Sequence, residues 1–209
     1  KTMKGIPAVL QLAAASGVNL AESADTVTNI MAGMGLQASE LADVNNILIG
    51  TFTSSNVSLS ELGQAFKMVG PVAKGVGVSL TDVSTAIGLM GNAGIKGTMA
   101  GTGLRKMLLS LYSSGKKAKG AMKELRISAA DLSEESGGME NLIRKLEAAR
   151  EVKGVTAFTT LSTDVFGLRS LPKVQALVEQ GAAAFNKQKE AVAKARRENI
   201  AFFLEQKQL

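Results

Sequence analysis

Apolar positions recur along this chain at the three- and four-residue spacing of helices. Leu62, Phe66 and Val69 share one helical face, as do Val83, Ile87 and Met90. No stretch alternates apolar and polar residues for long enough to demand a strand. A single start signal recurs ahead of the apolar runs, as VNLAE (18–22), LQASE (36–40), VSLSE (57–61), VSLTD (78–82) and ISAAD (127–131). An apolar residue comes first, then a short polar residue, and an acid stands three positions after that. Asn19, Ser58, Ser79 and Ser128 suit the N-cap position, where a side-chain oxygen accepts an unpaired backbone N–H; Gln37 is a weaker cap. The acid at the third helical position can reach back to the cap's own N–H and meets the positive end of the helix dipole. In four copies the next residue is apolar (Leu41, Leu62, Val83, Leu132) and can pack on the residue before the cap; the first copy has Ser23 there.

The first four caps lie 18, 21 and 21 residues apart, the length of one short helix plus a turn. With Gly33 and Gly35, Gly50, Gly70 followed by Pro71, and Gly91 or Gly94 as stops, the pattern predicts helices at 19–33, 38–52, 59–69 and 80–91. A helix over 98–111 carries Leu104, Met107, Leu108 and Leu111 on one side. SSGKKAKG (113–120) turns into a short basic helix ending at Leu125, SEESGG (133–138) is a loop, and short helices follow at 140–149 and 156–165. From Ser170, with Pro172 tolerated in the first turn, one continuous helix is expected to about residue 206, roughly 55 Å at 1.5 Å per residue. Its apolar face (Leu171, Val174, Val178, Gly181, Phe185) fades into NKQKEAVAKARREN (186–199), which is polar nearly all round and suits a solvated helix, a rod or a coiled coil. The expected fold is all-α: repeated short helices with capping boxes and glycine turns, then a long C-terminal helix. Three stretches divide it: a short-helix repeat region (1–95), a basic helical region continuing the same module (96–167), and the long helix (168–209).

Composition narrows the chemistry. Apolar residues make up 45% of the 209 and aromatic residues only 4%, so the core must be built from Leu, Ile, Val, Met and Ala, which favours thin, closely packed helices over a sandwich of sheets. The chain has no Cys and no His. That excludes disulfides, Cys/His zinc sites and Ser-His or Cys-His catalysis. Carboxylates are sparse and unpaired, so no acidic catalytic cleft can be assembled, and no enzyme activity, metal or cofactor is expected. No run reaches the ~18–20 continuous apolar residues of a spanning helix. KTMKGIPAVLQLAAASG (1–17) faintly resembles a signal peptide but opens without an initiator Met, which reads as a fragment or processed product.

Charge is uneven. Residues 1–95 hold four Lys/Arg against six Asp/Glu, and residues 96–209 hold twenty against twelve. Lys96, Arg105, Lys106, Lys116, Lys117, Lys119, Lys123 and Arg126 fall in one stretch with a single acid, Glu124. Such a stretch can contact DNA without sequence selection, or anionic lipid; the plainer alternative is a solvated helix face. Only Tyr112 lies among these charges, so base stacking on a single strand has little support.

The glycine-rich segment GNAGIKGTMAGTGLRKML (91–108) invites comparison with nucleotide-binding loops and fails it. Lys96 precedes Gly97, the reverse of a P-loop, and a helix signal precedes the segment where a strand is required. Lys106 stands where the third glycine of a dinucleotide fingerprint belongs. The structural alternative is stronger: Gly91 and Gly94 turn the chain, while Gly97, Gly101 and Gly103, with Ala100, give a helix a flat face for close packing. Glycine costs a helix interior about 1 kcal/mol relative to Ala, so tight packing must offset it.

GVSLTDVSTAIGLMGNAGIKGTMAGTGLRKMLLSL (77–111), AMKELRISAADLS (121–133) and VFGLRSLPKVQALV (165–178) resemble the core region of phage tail tape measure proteins. The resemblance covers roughly residues 8–185. Its most specific part is NAGIKGTMAGTGLRKML (92–108), followed by Lys-Glu-Leu-x-Ile (123–127) and the Ser128 cap. The family usually has Gly where this chain has Arg126. The resemblance implies a long, mostly helical structural protein in the lumen of the phage tail, whose length sets the tube's length and which leaves ahead of the DNA at infection. Implied partners are the tail tube protein, tail-tip or baseplate proteins and tail assembly chaperones. Several copies, such as three, are expected in a rotationally symmetric tube. No catalytic residues are implied. The alternative is a membrane-active helical protein that inserts in the host envelope to assist DNA passage, suggested by the sparsely charged N-terminal half and the basic middle.

Overall fold

The computed structural model describes residues 6–112 and 115–206. The protein is all-α: 84% of it is helical, with no strand among the described residues. The helices are α1 (Ile6–Ser16), α2 (Leu20–Met34), α3 (Leu41–Ser54), α4 (Leu59–Gly75), α5 (Leu80–Asn92), α6 (Gly97–Ser110), α7 (Lys116–Leu125), α8 (Gly138–Phe166) and α9 (Leu171–Gln206). Short 3-10 turns precede α3 and α8.

α4 lies between α2 and α6, while α3 and α5 pack on each other and on α9. α7 rests on α8, and α8 on α9. α3 is buried on every side from Val44 to Thr51, and α5 from Asp82 to Gly91. One apolar cluster runs from Leu12 to Val192, with Phe66, Phe158, Phe166 and Phe185 among its largest buried side chains. Four of the seven phenylalanines thus sit in a core otherwise made of aliphatic residues.

Small residues set how closely the helices approach. Gly33 of α2 and Gly70 of α4 meet backbone to backbone: a Cβ built on Gly70 would lie 3.5 Å from the Gly33 carbonyl carbon. On the other side of α4, a Cβ at Gly101 of α6 would lie 2.7 Å from the Ala65 Cα and would overlap the Ala65 carbonyl oxygen. Gly70 is therefore a packing position and not the helix stop expected from the Gly-Pro pair. α4 continues through Pro71 to Gly75. Pro71 and Lys67, whose carbonyl the ring deprives of a partner, are both exposed, so water can satisfy that carbonyl. The chain turns instead at Gly77 (φ 75°), where the Val78 N–H donates to Ala73 O.

Gly154 adopts φ 78°, ψ 162° and separates two halves of α8, in keeping with the two short helices expected at 140–149 and 156–165. Two further differences concern helix ends. α1 forms within the signal-like segment, where no helix was expected, and buries Leu12 against α2 and α3. α9 is not one continuous helix: Gly181 adopts φ 79°, ψ 171° and kinks it, so the straight 55 Å rod does not form.

Gly101 and Gly120 make opposite predictions for the same substitution. Ala is favoured over Gly by about 1 kcal/mol inside an exposed helix. At Gly120 of α7 a Cβ meets nothing within 4 Å, so Gly120→Ala should raise the melting temperature by about 2–4 °C. At Gly101 the clash with the α4 backbone, about 1–3 kcal/mol for an overpacked core, should outweigh that gain. Gly101→Ala should melt lower than the parent; equal shifts in calorimetry would show that α4 and α6 are not in close contact.

Candidate functional site

The capping residues lie at helix starts. Asn19 Oδ1 accepts the Glu22 N–H (2.9 Å), Ser58 Oγ that of Glu61 (3.2 Å) and Ser79 Oγ that of Asp82 (3.1 Å). The acid reaches back in three places: Glu61 to the Ser58 N–H (2.8 Å), Asp131 to the Ser128 N–H (2.7 Å) and Glu40 to the Gln37 N–H (2.6 Å). Ser128 opens a 3-10 turn, Ala129–Leu132, and not an α-helix.

Two of these acids also join helices. Asp82 does not reach back to its cap. Its Oδ2 accepts the Met139 N–H at the start of α8 (3.2 Å), and its Oδ1 pairs with Lys189 Nζ of α9 (2.6 Å). The Asp82 side chain is 8% exposed and that of Lys189 39%. Gly138, at φ 64°, leaves room for this carboxylate, since a Cβ there would lie 2.6 Å from Oδ2. Asp131 adds Lys145 Nζ (2.5 Å) and Asn141 Nδ2 (3.3 Å) of α8 to its capping bond. A third acid, Glu147 of α8, accepts the Ala182 N–H (3.1 Å) just past the Gly181 kink, placing negative charge at the start of a new helical segment. Gln188 Nε2 donates to Ser54 Oγ (2.7 Å) and Gln180 Nε2 to Leu89 O (2.9 Å), tying α9 to α3 and α5. The cap pattern identifies Asp82 and Asp131, but nothing local distinguishes an acid that turns inward; Glu147, Gln180 and Gln188 carry no local signal at all.

The glycines divide into two kinds. A side chain at Gly91 would meet Val57 and the Asn56 carbonyl, at Gly97 Gln64, at Gly101 Ala65, and at Gly103 Lys173. Gly94 is not a close-packing position: a Cβ there meets nothing within 4 Å, and its φ of 79° serves the turn between α5 and α6. The backbone a phosphate would need around Gly97 and Gly101 is covered by α4.

The eight basic residues do not form one patch. Lys96 is half-buried beside Asn56 Oδ1 (3.0 Å) and Glu61 (4.0 Å). Arg105 and Lys106 are exposed on α6. Lys117 pairs with Asp164 of α8 (2.8 Å). Lys116, Lys119 and Lys123 are exposed on α7, with Arg126 at its end. Arg126 adopts φ 56°, ψ 38°, and among the described residues no other non-glycine has positive φ; its N–H caps α7 by donating to Lys123 O. No group of three or more acidic residues could hold a metal ion among the described residues.

The glycine-packed corner at 91–103 and the left-handed turn at 126, where Arg stands for the family's usual Gly, lie within the segments 77–111 and 121–133 that resemble tape measure proteins. The sequence profile described as phage-related minor tail protein matches residues 1–167. The chain belongs to that family. It is 31% identical over 196 residues to the tape measure protein of Pneumococcus phage Dp-1, covering 91% of this chain and 16% of that protein. It is 27% identical over 145 residues to the probable tape measure protein of Escherichia phage P2, covering 69% of this chain and 18% of that protein. The chain thus spans less than a fifth of the length of either relative. No solved structure matches this family member significantly.

Two predictions follow from the polar geometry. Removing the cation leaves a buried carboxylate poorly compensated, so Lys189→Met should destabilise by about 1–3 kcal/mol. Adding Asp82→Asn should recover part of the loss, because Asn can still accept the Met139 N–H. Independent, additive effects in a double-mutant cycle would show that the two side chains do not interact. Arg126→Gly removes the ~1–2 kcal/mol strain of an L-residue in the left-handed region, offset in part by glycine's unfolded-state entropy. The variant should melt a few degrees higher, and an unchanged or lower melting temperature would locate the turn elsewhere.

Proposed function

We propose that the chain is a segment of a helical scaffold in the lumen of the phage tail, which sets tail length during assembly and is released as DNA leaves. Membership of the minor tail protein family carries the reading, and two relatives named as tape measure or probable tape measure proteins support it. The role is structural and uses no catalytic residue. The proposed partners are the tail tube protein, tail-tip or baseplate proteins and assembly chaperones, with several copies sharing one tube.

The fold bears on how such a module could act as a ruler. Drawn out as a single helix, 209 residues would reach about 310 Å. Folded, even α9 without its kink would measure only about 54 Å. Either the length comes from parts of the parent outside this module, or the module unpacks in the tube. Its core suits unpacking. Ser23, Asn45, Ser84 and Ser162 are buried with side-chain atoms that meet no hydrogen-bond partner, a cost of about 1–3 kcal/mol for each such group. The membrane-inserting alternative gains no support from the described helices, none of which is long and apolar enough to cross a membrane.

In-frame deletions in the parent gene, first outside this module and then within it, test the reading by electron microscopy of tails. Shortening by about 1.5 Å per deleted residue identifies a helical ruler and shows which part is extended. Tails of unchanged length after both deletions would remove the length-setting role.

A further inference from the structure

α7, like α6, opens without an acid or a side-chain cap. α2, α3, α4 and α5 each place an acid in the first turn: Glu22, Asp43, Glu61 and Asp82. α7 has no acid there and no side-chain cap, and Lys116, Lys117 and Lys119 crowd its first turn. Cations at the positive end of a helix dipole oppose its formation.

The two sides of α7 are sharply divided. Ala118, Ala121, Met122 and Leu125 are buried, on the side that packs on α8. Lys116, Lys119 and Lys123 are exposed and at 100° per residue fall within an arc of about 60°, covering about 10 Å along the helix, and the exposed Arg126 follows in the left-handed turn at its end. None of the four has an ion-pair partner among the described residues, while Asp164 is engaged by Lys117 and Glu124 by Lys153. Beside the stripe runs an open groove between α7 and α8, edged by Lys123, Arg126 and Lys153, with the small residues Gly120, Ala148 and Ala149 in its lining together with Glu124 and Val152. A Cβ at Gly120 would meet nothing within 4 Å, so this wall is open to a bulky ligand.

We propose that this face of α7 binds the phosphate backbone of double-stranded DNA without reading its sequence. The duplex presents one negative charge per ~1.7 Å of axis, more than enough to engage four cations over this length. The arc carries no apolar side chain to enter an acyl layer, because the apolar side of α7 is committed to the core, and this favours DNA over a lipid surface. It carries no aromatic side chain for stacking, which favours a duplex over a single strand. The proposal does not rest on the length-setting role, and either can fail alone.

Fluorescence anisotropy of the whole chain with a labelled duplex, titrated with salt, tests it. The plot of log K against log salt should have a slope of about −3 to −4, near −0.9 for each phosphate contacted. Lys119→Gln and Lys123→Gln should each make the slope shallower by about 1. The pair Arg105→Gln and Lys106→Gln removes equal charge from α6 and should leave the slope unchanged. These side chains are exposed, so thermal melts should show all variants folded. Three results would overturn the proposal: no binding at low salt, equal losses from the α6 and α7 pairs, or tighter binding to phosphatidylglycerol vesicles than to duplex.

Discussion

The contact between the Ala65 carbonyl of α4 and Gly101 of α6 fixes the spacing on which the rest of the packing depends. An aromatic-poor chain cannot fill wide gaps between helices, so its helices must come close, and they can do so only where one of them lacks a Cβ. α4 meets this condition against α6, where Ala65 faces Gly101, while its Gly70 lies in ordinary contact with Gly33 of α2. The same need places Gly91 against the chain entering α4, at Asn56 and Val57. The segment whose composition suggests a phosphate cradle has its glycines for this reason: they let backbones approach each other, which leaves little room for a ligand.

Close packing of thin helices leaves polar groups inside, and the fold handles them unevenly. Asp82 is satisfied by a backbone N–H from α8 and an ammonium from α9, so one carboxylate holds three helices in register. Asp131 performs a similar task at the turn before α8. Both acids first belong to a cap, a local device, and then serve a long-range one. Asn45, buried in α3, has no such partner. The result is a core whose orientation is well specified by polar ties but whose stability is held down by uncompensated groups.

The legible part of the fold was the local part. A cap and its acid lie three residues apart, so the starts of α2, α4 and α5 could be read directly. The resemblance expects glycine at 126 and so marks that position, but not that Arg126 itself adopts the left-handed conformation. Long-range relations were not legible. Gly70-Pro71 reads as a stop, yet Gly70 faces another glycine 37 positions earlier and Pro71 faces water. Asp82 and Glu61 look alike in sequence; only Asp82 lies under α8, whose contacting N–H is 57 residues away. α1 has neither a cap signal nor a charge within it, and Gly181 reads as one more position on an apolar face until Glu147 is seen beside it. The basic stretch reads as a unit because its residues are consecutive, but α6 and α7 present them on separate surfaces.

The attachment of α7 decides how the basic surface behaves when the module is remodelled. α7 is held to α8 by two alanines, Met122 and Leu125, and by the ion pairs Lys117–Asp164 and Lys153–Glu124, each with at least one well-exposed partner. Exposed pairs contribute about 0–1 kcal/mol and are screened by salt, and alanine buries little area. α3 and α5, by contrast, are buried on all sides and tied to α9 by Gln188 and Gln180. Local opening is therefore easier at α7 than at α3 and α5, which open last. Because the four cations of the stripe make no ion pair among the described residues, their charge remains available whether α7 is docked or released.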